Sequence, residues 1–260
     1  MEDAVVEDLS RGWREAGVQE GDLLLLHANL LPTLHRLSRT GVKGDARLVL
    51  ESFLHALGPT GTLMLPLFNF DFAKGVPFDM RSTRSHMGAL SEAGRLHPRA
   101  VRTGHPFYSF AVIGAKAPWF AGVRNFHGYG GDSPFASLRR LGGKIGVLEL
   151  SEADSMTFYH HAEETMEADY RYHKRFTGQY IDLEGRETTE TFGLFVRDLD
   201  RRVMTRVNPM GALLWEKGLY SGFQPREHCG LRVIRAQDMF DEACAVIAQG
   251  RARGLLYEIE

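Results

Sequence analysis

The side chains best spaced for proton transfer are a histidine and a glutamate three residues apart. They are His160 and Glu163, inside the run Asp154-Ser-Met-Thr157-Phe-Tyr-His160-His161-Ala-Glu163-Glu164. On a helix, positions i and i+3 share a face, so the two side chains become neighbours. A carboxylate beside an imidazole orients the ring and raises its basicity, which suits a general base working near neutral pH. The blander alternative is a solvated surface pair contributing about a few tenths of a kcal/mol. The same run also offers His160, His161 and Glu164 as a metal set, the centre of a metal-dependent hydrolase. Adjacent histidines point about 100° apart on a helix, whereas zinc-binding helices place two at i and i+4, so the spacing argues against a metal.

Other segments hold weaker signals. The run Gly128-Tyr129-Gly130-Gly131-Asp132-Ser133-Pro134 offers backbone N–H groups to an anion ahead of a helix, but it lacks the lysine of a nucleotide-binding loop and reads equally as a tight turn. His27-Ala28-Asn29-Leu30 follows the first strand, and ligands of parallel α/β sheets gather at the carboxyl ends of strands. The basic cluster Arg171 to Arg175 has the charge to hold a phosphate. Cys229 and Cys244 form no CxxC pair and read as small core residues.

The elements that must position these groups read as an α/β chain. Helical spacing runs over residues 4–17, 42–57, 87–96, 135–141, 154–169, 209–217 and 236–249, with Gly17 and Gly58-Pro59 as stops. Asp154 or Ser155 is placed to cap the helix that carries His160. Short apolar runs at 22–27, 62–68, 110–114 and 144–150 read as buried strands. Strand, helix and strand between Asp22 and Phe68 form the crossover unit of a parallel sheet. The last third changes texture, with strands expected at 171–182, 191–198 and 231–235. Residues 69–85 form a long polar loop, a length often tied to function. No repeat or linker is visible, so residues 1–260 read as one domain.

Bulk composition excludes several classes. With 31 basic and 33 acidic residues the formal charge is -2, without the basic excess of a nucleic-acid binder. No apolar run approaches the roughly 20 residues of a membrane helix. The acidic start MEDAVVEDLS is unlike a secretory signal, and two cysteines suit a reducing cytoplasm, where the chain is expected to reside.

Taken in order, a series of blocks resembles the aminoglycoside 3-N-acetyltransferase family of antibiotic N-acetyltransferases. The blocks are His27-Ala28-Asn29-Leu30, Val42-Lys43-Gly44, the segment from Leu57 to Leu63, and Pro66-Leu67-Phe68. Pro77-Phe78-Asp79 follows, running on to Thr83, Ser85, Met87 and Gly88; then come Arg102 and His105-Pro106, with Ser109 and Gly114 behind. Gly130 to Pro134, Leu141-Gly142-Gly143 and Asp154-x-x-Thr157-x-x-His160-x-x-Glu163 complete the series, which spans residues 20 to 175.

The resemblance implies a three-layer α/β/α fold unlike that of the GNAT enzymes, with a mostly parallel central sheet and a more antiparallel C-terminal portion. It implies acetyl-CoA as co-substrate, no metal, a small-molecule amine as acceptor, and a monomer or homodimer. His160 takes the place of the general base, Glu163 that of its acidic partner, and His161 that of a bystander. CoA contacts are expected around His27, Ala28, Asn29, Leu30, Arg102, His105, Ser109 and Ser133. Asp71, Asp79 and Glu164 are candidates to hold a cationic acceptor.

Two departures bear on the acceptor. Ala28 and Asn29 stand where small hydroxylic residues are usual, and the stretch from Tyr170 to Tyr180 looks like shorter relatives of biosynthetic gene sets. The expected acceptor is thus an aminoglycoside or related amino sugar, with a nucleotide-linked amino sugar or natural-product amine as the alternative. A non-catalytic CoA-binding scaffold is disfavoured because both His160 and Glu163 are present.

Overall fold

The structure, a computed structural model, describes residues 2–260. Helix α1 (Glu2–Glu15) leads into β1 (Leu23–Ala28), a short α2 (Leu31–Arg39) and α3 (Ala46–Leu57). The Asp45 carboxylate caps α3 by accepting from the Leu48 N–H at 2.9 Å, and Gly58 ends it at φ 66°, a conformation that costs glycine little. Next come β2 (Thr62–Pro66), β3 (Phe78–Asp79), α4 (Ala89–Arg95), β4 (Val101–Arg102) and β5 (Phe110–Gly114). Helix α5 (Pro134–Arg140), β6 (Lys144–Leu148), α6 (Tyr159–Thr165) and the hairpin of β7 (Arg171–Ile181) and β8 (Glu187–Arg197) follow. The chain ends with β9 (Val203–Thr205), α7 (Asn208–Glu216), β10 (Ser221–Gly222), β11 (Leu231–Arg235), α8 (Ala236–Ala248) and β12 (Tyr257–Ile259).

The main sheet has seven strands in the order β10-β11-β6-β1-β2-β5-β4. Its centre, β6-β1-β2, is parallel, as the strand-helix-strand reading requires, and antiparallel strands flank it on both sides. Strand β1 is apolar on both faces, so both must be covered. Leu24 and Leu26 pack with Trp13, Val49 and Phe53 on the α1 and α3 side. Leu23 and Leu25 pack with Phe135, Leu138 and Met239 on the α5 and α8 side. Helix layers on both faces of one sheet make the three-layer α/β/α arrangement. The C-terminal portion adds antiparallel structure: β7 and β8 pair along their full length and β12 pairs β9, while β3 joins β7 in parallel. Among the described residues no helix is long and apolar enough to cross a membrane.

Three sequence expectations need correction. Helix α2 lies outside the expected elements; it is nine residues long, carries Pro32 in its first turn, and has only Thr33 fully buried. The helix expected over 154–169 is α6 alone. Phe158 precedes α6 without a side-chain cap, and Asp154 instead accepts from the Ser151 hydroxyl at 2.5 Å. The cause is Glu152, drawn inside to accept from the hydroxyls of Tyr159 (2.6 Å) and Tyr220 (2.8 Å) and from Arg232 (3.1 Å). At the far end, Glu167 adopts φ 48° and the Ala168 N–H returns to the Glu163 carbonyl, closing the helix before Asp169. Strand β8 starts at Glu187, ahead of the expected Thr191, because ladder pairing with β7 carries a polar stretch that periodicity does not mark.

His27, His105 and His161 lie inside this fold at 4%, 0% and 1% exposure. Burial, with Arg232 nearby for His27, depresses His27 to about 3; burial also brings His105 to about 3 and His161 to about 4. The unfolded chain therefore binds protons on these rings below about pH 6.5, where the folded chain does not. Stability should fall by about 1.4 kcal/mol per pH unit for each ring as pH drops from about 6.5 towards the folded values. Urea midpoints measured from pH 7.5 to 5 test this; a midpoint unchanged across that interval contradicts it.

Candidate active site

Helix α6 presents His160 to a cleft of about 460 Å³ bounded by Phe107, Tyr108 and Tyr129 on one side and by β7 and β8 on the other. The imidazole meets the Tyr129 ring edge to face, with centroids 5.0 Å apart. Its Nδ1–H donates to Glu163 Oε2 at 2.5 Å, which fixes the tautomer and leaves Nε2 as the nitrogen able to accept a proton. The pairing predicted from the i,i+3 spacing is present, and it is interior, since the Glu163 side chain is 1% exposed.

Glu163 accepts two further contacts. The Tyr170 hydroxyl donates to Oε1 at 2.9 Å, and the Arg171 guanidinium lies 3.1 Å from Oε2. Burial alone raises the pKa of such a carboxyl, but Arg171, His160 and Tyr170 outweigh it and hold Glu163 at about 2. His160 departs from expectation. Burial and the positive charge of Arg171 lower its pKa below the ordinary histidine value, overriding the opposing pull of Glu163. The carboxylate orients the ring without making it a stronger base overall, and the imidazole stays neutral at neutral pH, as a proton acceptor must. Tyr170 and Arg171 were missed as partners of the pair. The sequence marks them only as part of a basic, aromatic stretch, and the reversal between α6 and β7 that returns them to Glu163 has no local signal.

The remaining expected residues divide by what their polar atoms already do. Arg102 donates to the carbonyls of Met80 (3.1 Å) and Thr83 (2.8 Å) and to Ser109 Oγ (3.2 Å), and Ser109 in turn donates to the Leu67 carbonyl. His105 Nδ1 accepts from the Phe107 and Tyr108 N–H groups, each at 3.3 Å. Ser133 is buried and caps α5 through the Ala136 N–H. These four are tied into the fold, not held out toward a phosphate. At the end of β1, the Asn29 side chain accepts from the Leu31 N–H at the start of α2. His27, Ala28, Asn29 and Leu30 keep their place at a strand's carboxyl end, although none of the eight lines the cleft of His160.

The three acceptor candidates are also placed elsewhere. Asp71 pairs with Lys74 (2.9 Å) and His86 (3.2 Å), and Asp79 with Arg81 (2.9 Å); neither lines the cleft. Glu164 is 8% exposed, far from a solvated carboxylate, and its Oε1 accepts from His127 Nδ1 at 2.6 Å. His161 is more than a bystander, since its Nδ1–H donates to the Tyr129 carbonyl at 2.7 Å and so fixes the residue that flanks His160. With His160 turned to Glu163 and His161 to Tyr129, the set His160, His161 and Glu164 does not converge on one point. The cleft lining instead includes Lys174 and Arg197, with no carboxylate among its residues, so it fits a phosphate of CoA or another anion; Arg171 also lines it, its charge already paired with Glu163.

A family model described as aminoglycoside 3-N-acetyltransferase matches residues 34–248, extending well past the segment that carries the motifs. Aminoglycoside N(3)-acetyltransferase VIII of Streptomyces fradiae is 30% identical over 221 residues, covering 74% of this chain and 70% of the relative. Aminoglycoside N(3)-acetyltransferase IX of Micromonospora chalcea is 30% identical over 215 residues, covering 72% and 69%. Among solved structures, aminoglycoside acetyltransferase AAC(3)-Xa superposes with a TM-score of 0.79 at 24% identity, covering 94% of this chain and 92% of that one. The AAC-IIIb binary complex with CoASH gives a TM-score of 0.78 at 21% identity, covering 94% and 96%. The chain therefore belongs to the aminoglycoside 3-N-acetyltransferase family and is an acetyl-CoA-dependent N-acetyltransferase.

Proposed function

We propose that the chain acetylates an amino group of an aminoglycoside or related amino sugar by direct transfer in a ternary complex, with His160 as general base and Glu163 as its positioning partner. The observation that carries this reading is the neutral His160 ring at a cleft wall, its Nδ1 held by a buried, ionised Glu163. In the reaction, Nε2 takes a proton from the acceptor amine as nitrogen bonds to the acetyl carbonyl carbon. The C–S bond breaks, the leaving thiolate takes up the proton from the imidazolium, and amide and CoA thiol result. Glu163 stabilises the transient imidazolium, the same role a carboxylate plays beside other catalytic histidines. Neither cysteine lines the cleft, and burial pushes the Cys244 thiol up to about 11, so no thiol is poised to carry the acetyl group.

A second reading of the acceptor rests on the charge of the cleft. Aminoglycosides are polycations, and a wall carrying Lys174 and Arg197 without a carboxylate favours an acceptor with negative charge, such as a nucleotide-linked amino sugar.

Three outcomes are expected. His160→Ala should lower kcat by at least about 100-fold with CoA binding retained; near-normal turnover removes His160 from the mechanism. The His160 ring, followed by NMR, should titrate below the usual value of about 6.5, and Glu163→Gln should shift it further down, because Glu163 favours the charged ring. A titration at or above the usual value contradicts the electrostatics described. A CoA-release assay on kanamycin-type aminoglycosides beside nucleotide-linked amino sugars decides the acceptor, and intersecting initial-velocity lines are expected; parallel lines point to an acetyl-enzyme.

A further inference from the structure

We propose that His127, Glu164 and His173 form a binding site for one divalent transition-metal ion, with Zn²⁺ the best match, separate from the acetyl-transfer chemistry. One ligand atom from each side chain lies within 4.8 Å of the other two. Tetrahedral zinc with bonds of about 2.0–2.1 Å sets its ligand atoms roughly 3.3 Å apart, so the group must contract by up to about 1.5 Å. His173 is exposed and its side chain has room to make that movement.

The second observation lies in Glu164. The carboxylate is buried, Oε1 is engaged by His127, and Oε2 has no partner among the described residues. A buried acceptor left without a donor is costly, and a cation is one way to satisfy it. Two imidazoles and one carboxylate are the donor types of many zinc centres, with a fourth position open to solvent on the His173 side.

The backbone is shaped around the group. Gly193 faces the His127 ring so closely that a Cβ there would sit 3.1 Å from Cδ2. His173 pairs directly with Phe195 on β8, and its ring lies 4.7 Å from that of His127. Glu164 and Glu163 are successive helix residues, pointing about 100° apart. One therefore serves His160 while the other serves this cluster. The three ligands come from the loop after β5, from α6 and from β7, so a bound ion would pin together the segments that wall the cleft.

The test is a Zn²⁺ titration of the tag-free, chelator-stripped chain against a chromophoric competitor, with thermal unfolding alongside. One equivalent should bind with Kd below about 10 µM and raise Tm by linkage. His173→Ala, at an exposed position, should weaken binding by about 100-fold and abolish the Tm rise while leaving zinc-free acetyl transfer unchanged. Glu164→Gln should weaken binding similarly. His160→Ala should bind Zn²⁺ like the parent, which separates this site from the catalytic pair. Absence of saturable binding up to about 100 µM Zn²⁺, or equal affinity in His173→Ala and the parent, overturns the proposal.

Discussion

An ionised carboxylate in the protein interior is the constraint around which the site is built. Taking such a group out of water costs several kcal/mol, and the cost is met only when charge and hydrogen bonds converge on it. Glu163 draws in Arg171, Tyr170 and His160 to meet it. Each of these partners is thereby fixed: the imidazole in one tautomer, the tyrosine against the helix, and the first residue of β7 against the end of α6. The guanidinium of Arg171 also donates to the Phe195 carbonyl, so the charge that stabilises Glu163 locks the hairpin to the same helix. The orientation of the imidazole and local folding are one interaction seen from two sides.

The other end of α6 is held by a similar device. Glu152 collects Tyr159, Tyr220 and Arg232, which join α6, β11 and the segment before β10. Tyr159 is the immediate neighbour of His160, so the ring's position is determined from both directions. A helix of seven residues has little intrinsic stability. Two buried acids with their partners supply what propensity does not, and this is why the uncapped α6 is well defined.

The parts of this design legible in the sequence are those with short-range signatures. The β1–α3–β2 crossover follows from apolar runs and the Gly58-Pro59 stop, and the His160/Glu163 pair follows from helical spacing. The identity of the carboxylate's other partners does not, because Arg171 returns to Glu163 only after a reversal set by tertiary contacts. For the same reason the motif residues Arg102, Ser109 and Ser133 suggest ligand contacts when read as a pattern, whereas in three dimensions they tie loops to strands. A motif records that a residue type is needed at a position, and the need here is often the fold's own. Helix α2 has a period, but over only nine residues with Pro32 at its start, and α6 is shorter than its spacing suggests because Glu152 pulls the preceding turn inward.

The hairpin of β7 and β8 has a consequence for how such an enzyme diversifies. Along β7, Tyr172, Lys174 and Phe176 line the cleft, while His173 faces the opposite side. Because side chains alternate, Tyr172, Lys174 and Phe176 share one face of the strand, and His173 and Arg175 share the other. Variation at the cleft-facing positions changes the shape and charge of that wall without disturbing the ladder or the anchoring beneath it, so the lining of the cleft and the His160–Glu163 pair are free to drift on separate clocks.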